Sequence, residues 1–183
     1  MNTSHDLVST AGQRAHATTA GNDAHATTAG YSSRATTTGQ RAHATTAGYS
    51  AHATTAGQRA HATTAGNDAH ALTTGYSAHA TTAGQRAHAT TAGYSAHALT
   101  AGYSAHALTT GGHAHAATTG ANSIAVAIGY NSSARAAAGG FIVLAQYDED
   151  TVVAVKTAQV GKGGIQPDTW YTLSPTGEFV EAE

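Results

Sequence analysis

Histidine recurs along this chain in one phase. It stands at His16, His25, His43, His52, His61, His70, His79, His88, His97, His106 and His115, always separated by nine residues or a multiple of nine. Neutral imidazole is a common zinc ligand and the side chain whose charge changes nearest neutral pH. Three chemistries follow: a row of metal sites, a pH-sensitive array, or a residue copied with its unit and stacked on its own copies. Zinc is the cofactor such a row would suggest. Carboxylates are scarce among the repeats, so no three-ligand geometry can be written for it, and the expectation is stacking with no bound cofactor.

The elements that place these histidines are set by a glycine at every ninth position from Gly12 to Gly129. Each unit is Gly, two turn-type residues, then a run close to Ala-His-Ala-Thr-Thr-Ala, as in Gly48 to Ala56. Thirteen copies fill residues 12–128 without insertion or deletion. A helix is excluded, because nine residues are two and a half turns and interior glycines each cost about 1 kcal/mol. The Thr-Thr pairs add β-branched residues that helices disfavour. Collagen requires glycine at every third position. Disorder is disfavoured because the sixth position is Ala in every copy, while variation is concentrated at positions two and three. The expected fold is all-β: a parallel β-solenoid (a β-roll or β-helix) of nine-residue repeats, each a short strand and a corner.

Two units per coil give an 18-residue coil, and thirteen units then make a rod roughly 31 Å long. Three units per coil, 27 residues, also fit, because the corner dipeptides show neither alternation. Strand alternation separates Ala, Ala and Thr at positions four, six and eight from His, Thr and Ala at positions five, seven and nine. The first set is the more constant and the smaller, as a narrow interior needs. Arg34 takes position five in one unit, and burying an unpaired Arg is costly. Both points turn histidine outward. Ile124, Val126 and Ile128 at positions five, seven and nine of the last unit point the other way, unless they meet the segment that follows.

Calcium-binding nonapeptide rolls share the period but need an Asp at each corner, and here only Asp23 and Asp68 stand there. An ice-binding face needs a Thr array, but adjacent threonines point to opposite sides. Tyr31, Tyr49, Tyr76, Tyr94 and Tyr103 occupy corners, where they stack or meet a ligand such as a glycan. No catalytic residue can be nominated, so the expectation is that the chain is not an enzyme. It has no Cys, no serine in a nucleophile elbow, and Gly161-Lys162-Gly163-Gly164 lacks phosphate-loop spacing.

Net charge is −2 with histidine neutral, which gives no footprint for nucleic acid. No run approaches the roughly 18 apolar residues of a membrane helix, and no signal peptide is read in Met1 to Thr10. The expected location is therefore cytoplasmic or virion-associated. Six Arg against three Asp leave residues 1–139 positive, and seven carboxylates leave residues 140–183 negative. Three regions follow: a lead-in at 1–11, the solenoid at 12–139 and a C-terminal β-hairpin cap at 140–183. The cap holds Phe141 to Ala145 and Val152 to Val155 around the acidic Asp148-Glu149-Asp150. A second hairpin runs from Pro167 to Leu173 and back through Glu178 to Val180. A solenoid end exposes unpaired strand edges and needs such a cover.

Asn122-Ser123-Ile124-Ala125-Val126-Ala127-Ile128-Gly129-Tyr130-Asn131-Ser132-Ser133-Ala134 resembles the head repeat of YadA-type trimeric autotransporter adhesins. The whole layout is similar to nonapeptide-repeat proteins of phages and bacteria that carry a Trp-Tyr-containing cap. The resemblance implies left-handed parallel rolls assembled as trimers. Two departures stand against it: histidine replaces the small or aliphatic residue at position five, and no coiled-coil stalk or anchor follows. The functional expectation is a structural or binding rod that self-assembles as a homo-oligomer, trimer or fibre. Such a rod is a phage-fibre or adhesin-like component with a glycan or cell-surface ligand as partner. The alternative is a monomeric solenoid that binds metal at its histidines or ice at its threonines.

Overall fold

The alternation of small inward and larger outward residues produces stacked strands joined by four-residue corners. A computed structural model describes residues 7–182; residues 1–6 of the lead-in and Glu183 lie outside them. Two sheets run the length of the rod. One contains β1 (Leu7–Ala11), β3 (His25–Ala29), β5 (His43–Ala47), β7 (His61–Ala65), β9 (His79–Ala83), β11 (His97–Ala101), β13 (His115–Thr118) and β15 (Ser133–Arg135). It ends in β18 (Tyr171–Leu173) and β19 (Phe179–Glu181). The other contains β2 (His16–Ala20), β4 (Arg34–Thr38), β6 (His52–Ala56), β8 (His70–Thr74), β10 (His88–Ala92), β12 (His106–Thr109) and β14 (Ile124–Ala127). It ends in β16 (Phe141–Asp148) and β17 (Thr151–Gln159).

Within the rod each strand pairs in parallel with the strand two units away, His43 with His61 and His52 with His70. A coil is therefore 18 residues, two strands and two corners, which decides between the two coil sizes the sequence left open. The lead-in belongs to this pattern as well. Leu7 pairs with His25 and Thr10 with Thr28, because Val8 and Thr10 take the inward positions.

The interior is a column of methyls and hydroxyls. Ala44, Ala62 and Ala80 of one sheet and Ala53, Ala71 and Ala89 of the other are at most 2% exposed. The position-eight threonines from Thr28 to Thr109 are equally enclosed. Their hydroxyls have no hydrogen-bond partner among the described residues. Positions five, seven and nine face outward, so histidine is outside. Ile124, Val126 and Ile128 are outside too, half-buried, with Ile124 beside Phe141 and Val126 beside Val143 on the next strand of the sheet.

The corners divide their demands between two residues. The third residue of each unit carries the left-handed backbone, as in Asp68 (φ 55) and Ser77 (φ 51), a conformation that Asn and Asp enter most easily. The repeat glycines from Gly12 to Gly102 also take positive φ, 135–153, and answer a second need. A Cβ on Gly66 would collide with the carbonyl of Gly48 one coil earlier, so the corners approach more closely than any side chain permits. Corner amides complete the ladder, Gly66 N–H donating to Ala83 O at 2.7 Å and Asp68 N–H to Gln85 O at 2.9 Å.

The terminal segment continues both sheets. In β16 the register steps from 18 to 17 residues, Ile124 pairing with Phe141, because the corner after Ala137 is one residue short. Antiparallel β17 folds back on β16, and β18 meets β15 antiparallel. Ile142, Leu144, Val160, Ile165 and Tyr171 extend the alanine column into a larger apolar plug. No helix among the described residues is long and apolar enough to cross a membrane.

Candidate functional site

Parallel in-register stacking makes each outward residue the neighbour of its own copy. On one sheet His25, His43, His61, His79, His97 and His115 form a continuous column with ring centroids 4.7–4.8 Å apart. Interplanar angles are 2–8° over the first five rings and 19° at the last step. On the opposite sheet Arg34 stands between His16 and His52. His52, His70, His88 and His106 then stack at 4.9 Å. The eleven sequence-nominated histidines are thus split between two opposite faces, with His16 set apart by Arg34.

Partial burial by flanking rungs makes protonation costly. The imidazoles of His43, His52, His61, His79, His88, His97 and His115 are held below their ordinary value, first by burial and second by neighbouring histidines. For metal, the geometry is plain. Parallel rings nearly 5 Å apart send their in-plane lone pairs side by side, while a shared zinc needs two of them aimed at one point about 2.1 Å away. Among the described residues no group of three or more His, Cys, Asp or Glu converges on a common centre.

The corners form columns of their own. Tyr31 stacks on Tyr49 at 5.3 Å and Tyr76 on Tyr94 at 5.5 Å. Asp23 accepts two bonds of 2.7 Å from Arg41 one coil later, and Asp68 accepts bonds of 2.7 and 2.8 Å from Arg86. The Arg86 bonds, followed by one from Tyr49, hold the Asp68 carboxyl well below the usual carboxylate range. Asn67 accepts the Gln85 backbone N–H at 2.9 Å, so both residues of the Asn-Asp corner contact the Gln-Arg corner of the next coil.

The longer histidine column ends at a distinct group of residues. Ser133 occupies the next position-five rung, and its hydroxyl lies 2.6 Å from His115 Nδ1. Trp170 from the terminal segment meets the His115 ring edge-on at 5.2 Å. The Arg135 guanidinium lies over the Trp170 ring at 4.8 Å. His115, Arg135 and Trp170, together with His79, His97 and Leu99, line a groove of about 230 Å³. Sequence reasoning passed over Arg135 and Trp170. The signal was there: Arg135 is the one charged residue in a position-seven row otherwise made of Thr, Leu, Ala and Val, and Trp170 is the single tryptophan.

A more open cleft of about 830 Å³ lies within the terminal segment, between the end of β17 and β19, lined by Gln159, Lys162, Tyr171, Glu178 and Phe179 among others. Its one cation and its carboxylates sit on solvent-exposed segments. Comparison with protein-family models, curated proteins and solved structures finds no match to any of them.

Proposed function

We propose that this chain is a self-assembling structural rod, a phage-fibre or adhesin-like component that forms a homo-oligomer and presents its repeated outer faces. The β-solenoid gives a stiff shaft whose surface repeats every coil, the form solenoids use for extended binding surfaces. The observation that carries the reading is β17. It is the outermost strand of its sheet, and Val152, Val153 and Val155 on it are 49–57% exposed. Adjacent valines point to opposite sides, so both faces of the strand are uncovered along with its free edge. Long apolar edge strands of this kind pair with further strands. No catalytic step is part of this reading.

Light scattering on a sizing column at pH 8 tests it. A trimer or larger species is expected, returned to the 18.2 kDa monomer by Val153→Lys. A monomer at all accessible concentrations would overturn the assembly reading.

A further inference from the structure

The groove at the end of the longer histidine column is the place where a repetitive surface becomes unique. Arg135 carries a planar fork of five donors. Among the described residues it makes no hydrogen bond, its Nε is shielded from solvent without a partner, and no carboxylate lies within salt-bridge distance. Arg41 and Arg86 instead each hold an aspartate. A shielded guanidinium donor without an acceptor is costly to maintain. Trp170 holds the guanidinium in place by a cation–π contact and supplies an apolar wall. His115 has committed Nδ1 to Ser133, which leaves Nε2 as its other polar atom, and His97 stacks beside it.

One fixed guanidinium, one indole wall and neutral imidazoles make a specific demand. The charge suits one carboxylate rather than a doubly charged phosphate, since no second Lys or Arg lines the groove. The imidazoles suit hydroxyls, and the wall suits the C–H face of a saturated ring. At about 230 Å³ the space lies below that of drug-sized sites and fits one small ring. We propose that this groove binds a carboxylate carried on a polyhydroxylated ring, the chemistry of an acidic sugar. In this site Arg135 grips the carboxylate, Trp170 packs on the ring, and His97 and His115 bond its hydroxyls. The site lies within one chain and stands whether or not the rod assembles.

Trp170 is the only tryptophan beside eight tyrosines, so fluorescence excited on the long-wavelength edge, where tyrosine does not absorb, reports this groove alone. The experiment titrates the full chain at pH 8 with glucuronate and, separately, with glucose, acetate and inorganic phosphate. The expected result is a saturable change with glucuronate in the millimolar range. Binding should be weaker by roughly tenfold or more for each of the other three, and for glucuronate with Arg135→Gln. Circular dichroism establishes that the variant is folded; if it is not, the ligand series on the natural chain decides alone. No saturable change with glucuronate, or equal binding of acetate, glucose or phosphate, would overturn the proposal. Unchanged glucuronate binding in folded Arg135→Gln would do so too.

Discussion

The corner glycines allow a backbone demand and a contact demand to be measured separately. Gly66 has φ +141, and a Cβ there would fall well inside van der Waals contact distance of the Gly48 carbonyl oxygen. Gly12 has nearly the same backbone, φ +135, but nothing stands within 4 Å of its Cβ position. Gly111 has the collision, against Gly93, without a left-handed φ. A backbone region nearly restricted to glycine costs about 1–3 kcal/mol for alanine, and forcing a methyl into filled space costs about 1–3 kcal/mol more. Gly66→Ala should therefore lose about 4 kcal/mol, while Gly12→Ala and Gly111→Ala lose about 2 kcal/mol each. Against a typical total of roughly 5–15 kcal/mol, the first change brings the rod close to unfolding. Urea denaturation followed by circular dichroism measures all three, with the slope checked for loss of cooperativity between coils. Gly12 lies near a rod end where fraying lowers apparent costs, so Gly111→Ala is the decisive comparison. If Gly111→Ala, which carries the collision alone, costs nothing measurable, the close approach of the corners is not what selects glycine.

Three further outcomes follow from the same geometry. The seven histidines held below their ordinary value bind fewer protons folded than unfolded. Their contribution to stability is complete above the unfolded value of about 6.5 and is lost as pH falls toward the folded values. Melting temperature should thus drop between pH 8 and pH 5, and superimposable melts across that range would refute the effect. Thr55→Val removes a buried hydroxyl without a partner while keeping its volume, and should stabilise by about 1 kcal/mol, whereas Thr55→Ala should destabilise. Equal losses for the two would mean that the hydroxyl is bonded after all. Val153→Lys on the outermost strand should leave the melt nearly unchanged yet shift the mass by light scattering, since an exposed position offers little folding energy to lose.

Much of this architecture was legible because the period is strict. Glycine every nine residues excluded helix, and the constancy of Ala at position six identified the inward face; Arg34 at position five turned histidine outward. Coil size was harder, since alternation of the corner dipeptides is the wrong signal. The informative one is complementarity at a separation of 18: Asn22-Asp23 precedes Gln40-Arg41, and Asn67-Asp68 precedes Gln85-Arg86. A charged pair can fix register where the average composition of a corner cannot. What selects glycine at the corners was only partly legible for a similar reason. A turn suggests positive φ at glycine, and Gly12 to Gly102 do take φ of 135–153, while the position-three residues take the left-handed helical region. Glycine also answers a contact between coils that no local pattern reveals. The groove at Arg135 was invisible because its residues come from β15 and the segment before β18, 35 positions apart in the chain.

Parallel in-register stacking also accounts for the composition. Every side chain lies about 4.8 Å from the equivalent residue of the next coil, so the residues that suit this fold are those that tolerate their own kind. Imidazole and phenol rings do so by stacking, and Ala and Thr do so by size. Lys, Glu, Asp and Arg do not, and only 10% of the chain is charged. Where a charge enters a corner, an opposite one can meet it, as Asp68 meets Arg86 at 2.7 Å. Reversing one member tests this rule. Asp68→Arg sets two like charges on adjacent coils, so the melting temperature should fall most at low ionic strength and recover partly in salt. Adding Arg86→Asp restores an opposite pair in inverted order, and should recover much of the loss. A double variant no more stable than Asp68→Arg alone would show that the alternation of charge is not what stabilises the corner.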